Sequence, residues 1–89
     1  MIFRPKRGNV IFDIEGRWIK ILGEIVPETA YWFNKFLYNI NVRDYAPVHV
    51  LIDSIGGDAE AGFLIHAILL SSIAPVITVI TKKAYSTAF

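Results

Sequence analysis

Cysteine is absent from the chain, which excludes disulfides and thiolate metal sites and leaves the redox compartment open. Net charge is nearly absent too, at +1. No strong electrostatic pull toward nucleic acid or a membrane surface follows from it. The first residues lack the apolar h-region of a signal peptide, and the expected address is cytoplasmic. No internal repeat or low-complexity tract is present. Apolar residues, by contrast, are plentiful: 54% of the 89 residues are hydrophobic and 13% aromatic. A domain of this size buries a modest fraction of its surface. So much apolar material predicts subunit contacts or a larger whole.

Arg4, Lys6 and Arg7 surround Pro5, so residues 1–9 read as a basic, solvated arm. Val10 to Ile14 and Arg17 to Leu22 then read as two strands joined at Glu15-Gly16. Pro27 suits the first turn of a helix. Ala30, Phe33, Leu37 and Ile40 recur at helical spacing, with Trp32 and Phe36 widening the stripe, which predicts a helix from Glu28 to Ile40. Those aromatics read as core or subunit contacts. Asn41 to Pro47 is polar and reads as a loop. Val48 to Ile52 reads as a strand inside a sheet, with His49 expected to pack there.

A glycine pair follows that strand: Ser54-Ile55-Gly56-Gly57-Asp58. Two glycines at a strand-to-helix turn open backbone conformations closed to other residues, and they bare N–H groups at a helix start. Asp58 is the expected N-cap. Ala59 to Ser72 reads as a helix that is apolar almost all round, as buried helices are, with His66 expected to pack or to bond across an interface. Phe63 to Ile80 carries no Asp, Glu, Lys or Arg, which raises a transmembrane span. Pro75, Ser71-Ser72 and the β-branched run Val76 to Ile80 predict helix, turn and strand instead. Small residues around Ser86 would let a turn raise its hydroxyl beside backbone donors, the setting of a serine nucleophile.

Gly56-Gly57, then Ala61-Gly62, an apolar helix, a β-branched strand and Ser86 among small residues stand in one gapless register. In this the chain resembles the proteolytic subunit of the Clp protease family. Gly23-Glu24-Ile25 and Glu28-Thr29-Ala30 are similar to the family's entry into its first core helix. The resemblance covers Arg17 to Phe89. It implies an α/β fold, a crossover-wound sheet with helices of the Clp and crotonase type, of which residues 10–89 are the N-terminal part. It implies a serine endopeptidase that needs no cofactor or metal, acts on peptides or unfolded proteins, assembles as a homo-oligomeric ring and works with an ATPase unfoldase. Neither nucleic acid nor membrane is an expected partner.

By the same resemblance, Ser86 is the catalytic nucleophile, and the N–H groups of Gly57 and Thr87 form the oxyanion hole. Gly56, Asp58 and Ala59 line the bound peptide, which pairs with this segment as an added strand. Two donors from different turns can converge on developing negative charge. Gly57→Val is then expected to slow hydrolysis while sparing assembly. The chain departs from the family at Ile55, where proline is usual, at Lys82 and Ala88, where glycine is usual, and at Tyr85, where a small residue is usual. The family's catalytic histidine and aspartate follow the serine, and neither His49 nor His66 matches that histidine. Residues 1–89 alone are therefore expected to be inactive. Two other classes stay open: a non-catalytic, ring-forming interaction subunit, and a crotonase-type acyl-CoA enzyme with a similar pair of oxyanion donors.

Overall fold

The computed structural model describes residues 6–7, 9–54 and 56–80. Within them lie five strands and two helices: β1 (Lys6–Arg7), β2 (Val10–Asp13), β3 (Trp18–Leu22), α1 (Pro27–Asn41), β4 (Val48–Asp53), α2 (Ala59–Ser71) and β5 (Val76–Ile80). The strands form one sheet in the order β1-β2-β3-β4-β5. β1, β2 and β3 pair antiparallel, whereas β3, β4 and β5 run parallel. Parallel neighbours need a crossover connection. Helix α1 supplies it between β3 and β4, and α2 between β4 and β5. This is the expected crossover-wound α/β fold. One detail differs from the solvated arm: Lys6 and Arg7 add a two-residue edge strand opposite Ile11 and Val10.

Side chains alternate across a strand, and here the alternation is nearly complete. Val10 and Phe12, Ile19 and Ile21, and Val48, Val50 and Ile52 are buried on one face. The register places Phe12 opposite Ile19, Ile19 beside Val50 and Ile21 beside Ile52, so these side chains form rows. Helix α1 covers those rows with Ala30, Phe33, Phe36, Leu37 and Ile40. Phe36 stacks on Phe12 with ring centroids 3.9 Å apart and planes at 15°. Trp32 extends the stack from 5.7 Å. Each large apolar side chain removed from water in this way contributes roughly 1.5–3 kcal/mol.

His49 is exposed, not packed as the sequence reading had it. Parity explains this. In β4, His49 has the opposite parity to Val48, Val50 and Ile52, which places it on the face that no described helix covers. His66 is likewise exposed on α2.

Both helix ends are tied by side chains. Arg17, at a positive φ of 56°, sends its guanidinium to the C-terminal end of α1. Its Nη1 donates to the Ile40 carbonyl at 3.0 Å and its Nε to the Ala46 carbonyl at 3.1 Å, while Nη2 reaches the Asp44 carbonyl at 3.0 Å. Helix α1 has no basic residue in its own last turn, so a cation from the β2–β3 turn serves its Ile40 carbonyl and those of the loop that follows. Asn41 joins the two helix ends: its Nδ2 donates to Ser72 Oγ at 3.0 Å, and its Oδ1 accepts from Ala74 N at 3.1 Å.

Helix α2 buries only Ala61, Gly62 and Ile65. Phe63 and Leu70 are 75% exposed and Ile73 74%. Ile77 and Val79 of β5 are exposed as well, in register with His49 and Leu51 on the open sheet face. Here the apolar excess of the composition becomes a surface. A patch of this kind favours association. A polypeptide of residues 1–89 is expected to self-associate at micromolar concentration in sedimentation velocity. A well-folded monomer under those conditions would contradict this reading of the surface.

Candidate functional site

The glycine turn is built by a short parallel pairing beyond the ends of β3 and β4. Gly23 N donates to the Asp53 carbonyl at 3.0 Å, which starts the extension. Ile25 then forms an isolated parallel bridge with Gly57. Its N–H donates to the Gly56 carbonyl at 3.0 Å, and its carbonyl accepts from Asp58 N at 2.8 Å. In an extended segment, successive peptide groups point to opposite edges. The Gly56 carbonyl and the Asp58 N–H face Ile25, so the N–H and carbonyl of Gly57 face the other edge.

This pairing requires glycine. Gly56 and Gly57 have φ of 110° and 150°. A Cβ at Gly57 would lie 2.2 Å from the Ile25 carbonyl oxygen and 2.8 Å from its nitrogen. Backbone atoms cannot swing aside as a flexible side chain can, so the two segments would have to part.

Two buried hydroxyls brace the turn from either side. Ser54, 2% exposed, accepts from Gly56 N at 3.0 Å and donates to the Gly56 carbonyl at 3.2 Å. Thr29, fully buried, accepts from Val26 N at 3.0 Å and donates to Asn9 Oδ1 at 2.7 Å. Asn9 Nδ2 in turn donates to the Glu24 carbonyl. Residues 24–26 are thus held by Asn9 before β2 and Thr29 in the first turn of α1, and from the β4 side by Gly56 and Asp58.

Asp58 is the N-cap of α2, as its position predicts. Its Oδ1 accepts from Ala61 N at 2.8 Å, and its carbonyl accepts from Gly62 N at 3.0 Å. Ala59 opens the helix. The Gly56 carbonyl and the Asp58 N–H therefore bond toward Ile25, and the N–H and carbonyl of Gly57 point away from it. Ser86 and Thr87 lie outside the described residues, as do Ile55, Lys82, Tyr85 and Ala88. Among the described residues, no group of three or more His, Asp or Glu side chains could hold a metal ion. No described helix is long and apolar enough to cross a membrane.

Sequence reasoning did not find Ser54, Asn9, Ile25 or Arg17. Ser54 had a legible signal: a serine two residues before a turn glycine can bond the backbone there as an ST-turn. Ile25 had none, because its part is played by its backbone.

The architecture is that of an α/β domain of the ClpP type. Solved structures similar to the chain include a mutant of ClpP1 from Listeria monocytogenes, at a TM-score of 0.81 and 32% identity over 84% of this chain and 44% of that one. ClpP1 from Listeria monocytogenes matches at 0.74 and 34% identity, over 76% of this chain and 40% of that one. The ClpP protease catalytic domain from Plasmodium falciparum shares the fold at 0.78 and 23% identity, over 84% of this chain and 41% of that one. The chain thus spans less than half the length of these structures. No family model and no curated protein matches it. The structural likeness is to ClpP proteases, and it supports a Clp-like protease family for the chain.

The geometry corrects one expectation. The resemblance makes Gly57 a site residue whose replacement by valine spares assembly. The approach to Ile25 makes it a structural residue as well. Gly57→Ala is expected to cost roughly 3 kcal/mol or more in urea unfolding, the range of forced backbone displacement. Gly23→Ala is the control: φ is 82° there, but nothing lies within 4 Å of a new Cβ. Its expected cost is about 1–2 kcal/mol, the left-handed penalty alone. Equal losses at the two glycines would contradict the close approach.

Proposed function

We propose that the chain is the N-terminal part of a Clp-like serine endopeptidase subunit, with residues 10–89 in its peptidase domain. The observation that carries this is the braced Gly56–Asp58 segment. It turns one peptide N–H, that of Gly57, away from Ile25 at the start of a helix. The likeness to ClpP proteases supports the same reading.

In this reading Ser86 Oγ attacks the scissile carbonyl carbon, and the C=O π electrons move onto oxygen. The resulting oxyanion accepts hydrogen bonds from Gly57 N and Thr87 N. Preorganised donors of this kind cost no rearrangement during the reaction, and each is worth about 10²–10³ in rate. The proton of Ser86 passes to a general base, a role not assigned to any residue of this chain, since His49 lies on the open sheet face and His66 on the exposed side of α2. The substrate peptide extends along the edge that Gly57 presents, near Gly56, Asp58 and Ala59. The exposed apolar residues of α2 suit contacts between subunits of a ring, and an ATPase unfoldase would deliver protein substrates to it.

Full-length protein is expected to hydrolyse a fluorogenic peptide, and Ser86→Ala to lower kcat by about 10³-fold or more. A fluorophosphonate probe is expected to label Ser86 in the full-length protein and to leave residues 1–89 alone unlabelled. Wild-type turnover by Ser86→Ala would overturn the assignment.

A further inference from the structure

We propose that Ser54 is a positioning residue that aims the Gly57 N–H at the oxyanion. The inference rests on the peptidase reading and deepens it. A peptide group is planar and trans, so its carbonyl and its N–H point in opposite directions. The Gly57 N–H belongs to the same peptide group as the Gly56 carbonyl. Whatever fixes that carbonyl fixes the donor.

Two donors fix it: Ile25 N at 3.0 Å and Ser54 Oγ at 3.2 Å. They differ in kind. Ile25 holds the carbonyl from the neighbouring segment. Ser54 holds it from within the turn, and its oxygen also accepts from Gly56 N at 3.0 Å. One hydroxyl therefore grips both ends of Gly56. This matters because glycine at φ 110° has little intrinsic preference to keep its peptide plane in one orientation. With Ser54 replaced by alanine, the Gly56 carbonyl keeps one of its two donors and the Gly56–Gly57 peptide can tilt. A tilt of the donor leaves the fold connected and misdirects the N–H.

Ser54 is well placed for this. It is 2% exposed, so water does not compete for its bonds, and it touches the catalytic geometry only through Gly56. A purely structural serine would affect stability and nothing else. A positioning serine must affect the transition state more than the ground state, because the oxyanion exists only in the former.

The test uses full-length protein and reads kcat, KM and the inhibition constant of a peptide boronate, whose tetrahedral adduct places an oxygen in the oxyanion hole. Rates are taken per active site titrated with a fluorophosphonate, which removes the effect of unfolded protein. Ser54→Ala is expected to lower kcat by about 10-fold or more, within the range of one weakened donor. It should raise the boronate constant by a similar factor and move KM less than twofold. Ser54→Cys keeps the volume with poorer hydrogen bonds and is expected to fall in the same direction, which serves if the alanine variant folds badly. Ser54→Thr keeps the hydroxyl and is expected to recover most of kcat. Unchanged kcat per titrated site and unchanged boronate binding in Ser54→Ala and Ser54→Cys would overturn the positioning role. Hydrolysis that survives Ser86→Ala would overturn the peptidase reading instead, and the role of Ser54 with it.

Discussion

The backbone of Gly57 lies so close to that of Ile25 that no side chain fits between them. Much of the described structure follows from this approach. It carries the parallel pairing of β3 and β4 past their ends and sets where α2 begins, because Asp58 is spent on Ile25 and on the first turn of the helix. It also sorts the peptide groups of the turn into those that face Ile25 and those that face outward. The buried polar residues gather around it. Thr29 and Ser54 are the two buried polar residues among those described, and each bonds a backbone group of the two segments that meet there. Burying a hydroxyl without a partner is costly. These two are repaid by fixing the relative position of the segments.

The sheet is built asymmetrically, and this shapes the surfaces. Its inner face is closed by α1, through the Phe12–Phe36 stack and the row of isoleucines and valines. Its outer face carries Trp18, Lys20, His49 and Leu51 in register, with no described helix over them. Toward β5 even the inner face loses its cover, since α2 buries little of itself. The turn at Gly57 and the exposed apolar flank of α2 are joined in one element. The same helix that begins at the turn presents its apolar flank outward.

Much of this was legible in the sequence. The strand, strand, helix, strand, helix, strand order from Val10 to Ile80 followed from periodicity and from Gly and Pro punctuation, because inner-face burial is strongly patterned in β2, β3 and α1. The cap at Asp58 and the opening at Pro27 were legible as local chemistry. The environment of His49 was not, since strand parity decides it only once the covered face is known. The near-uniform apolarity of α2 suggested a buried helix, but periodicity cannot say which side of such a helix is covered within the chain. The role of Ile25 was invisible because backbone groups carry no residue-specific signal, and Arg17 bridges a turn to a helix end far along the chain. The glycine pair marked the site, whereas its close approach to Ile25 arises only when two segments distant in sequence pair through their backbones.

The fold holds the Gly56–Gly57 peptide with its carbonyl toward Ile25, and the proposed mechanism turns its N–H to a developing oxyanion. A crystal structure of the full-length protein bound to a peptide boronate tests it most directly. The account predicts boron bonded to Ser86 Oγ and a boronate oxygen about 2.7–3.1 Å from Gly57 N, with the Gly56 carbonyl still accepting from Ile25 N and Ser54 Oγ. A boronate oxygen bound elsewhere, or a flipped peptide presenting the Gly56 carbonyl to it, would contradict the account.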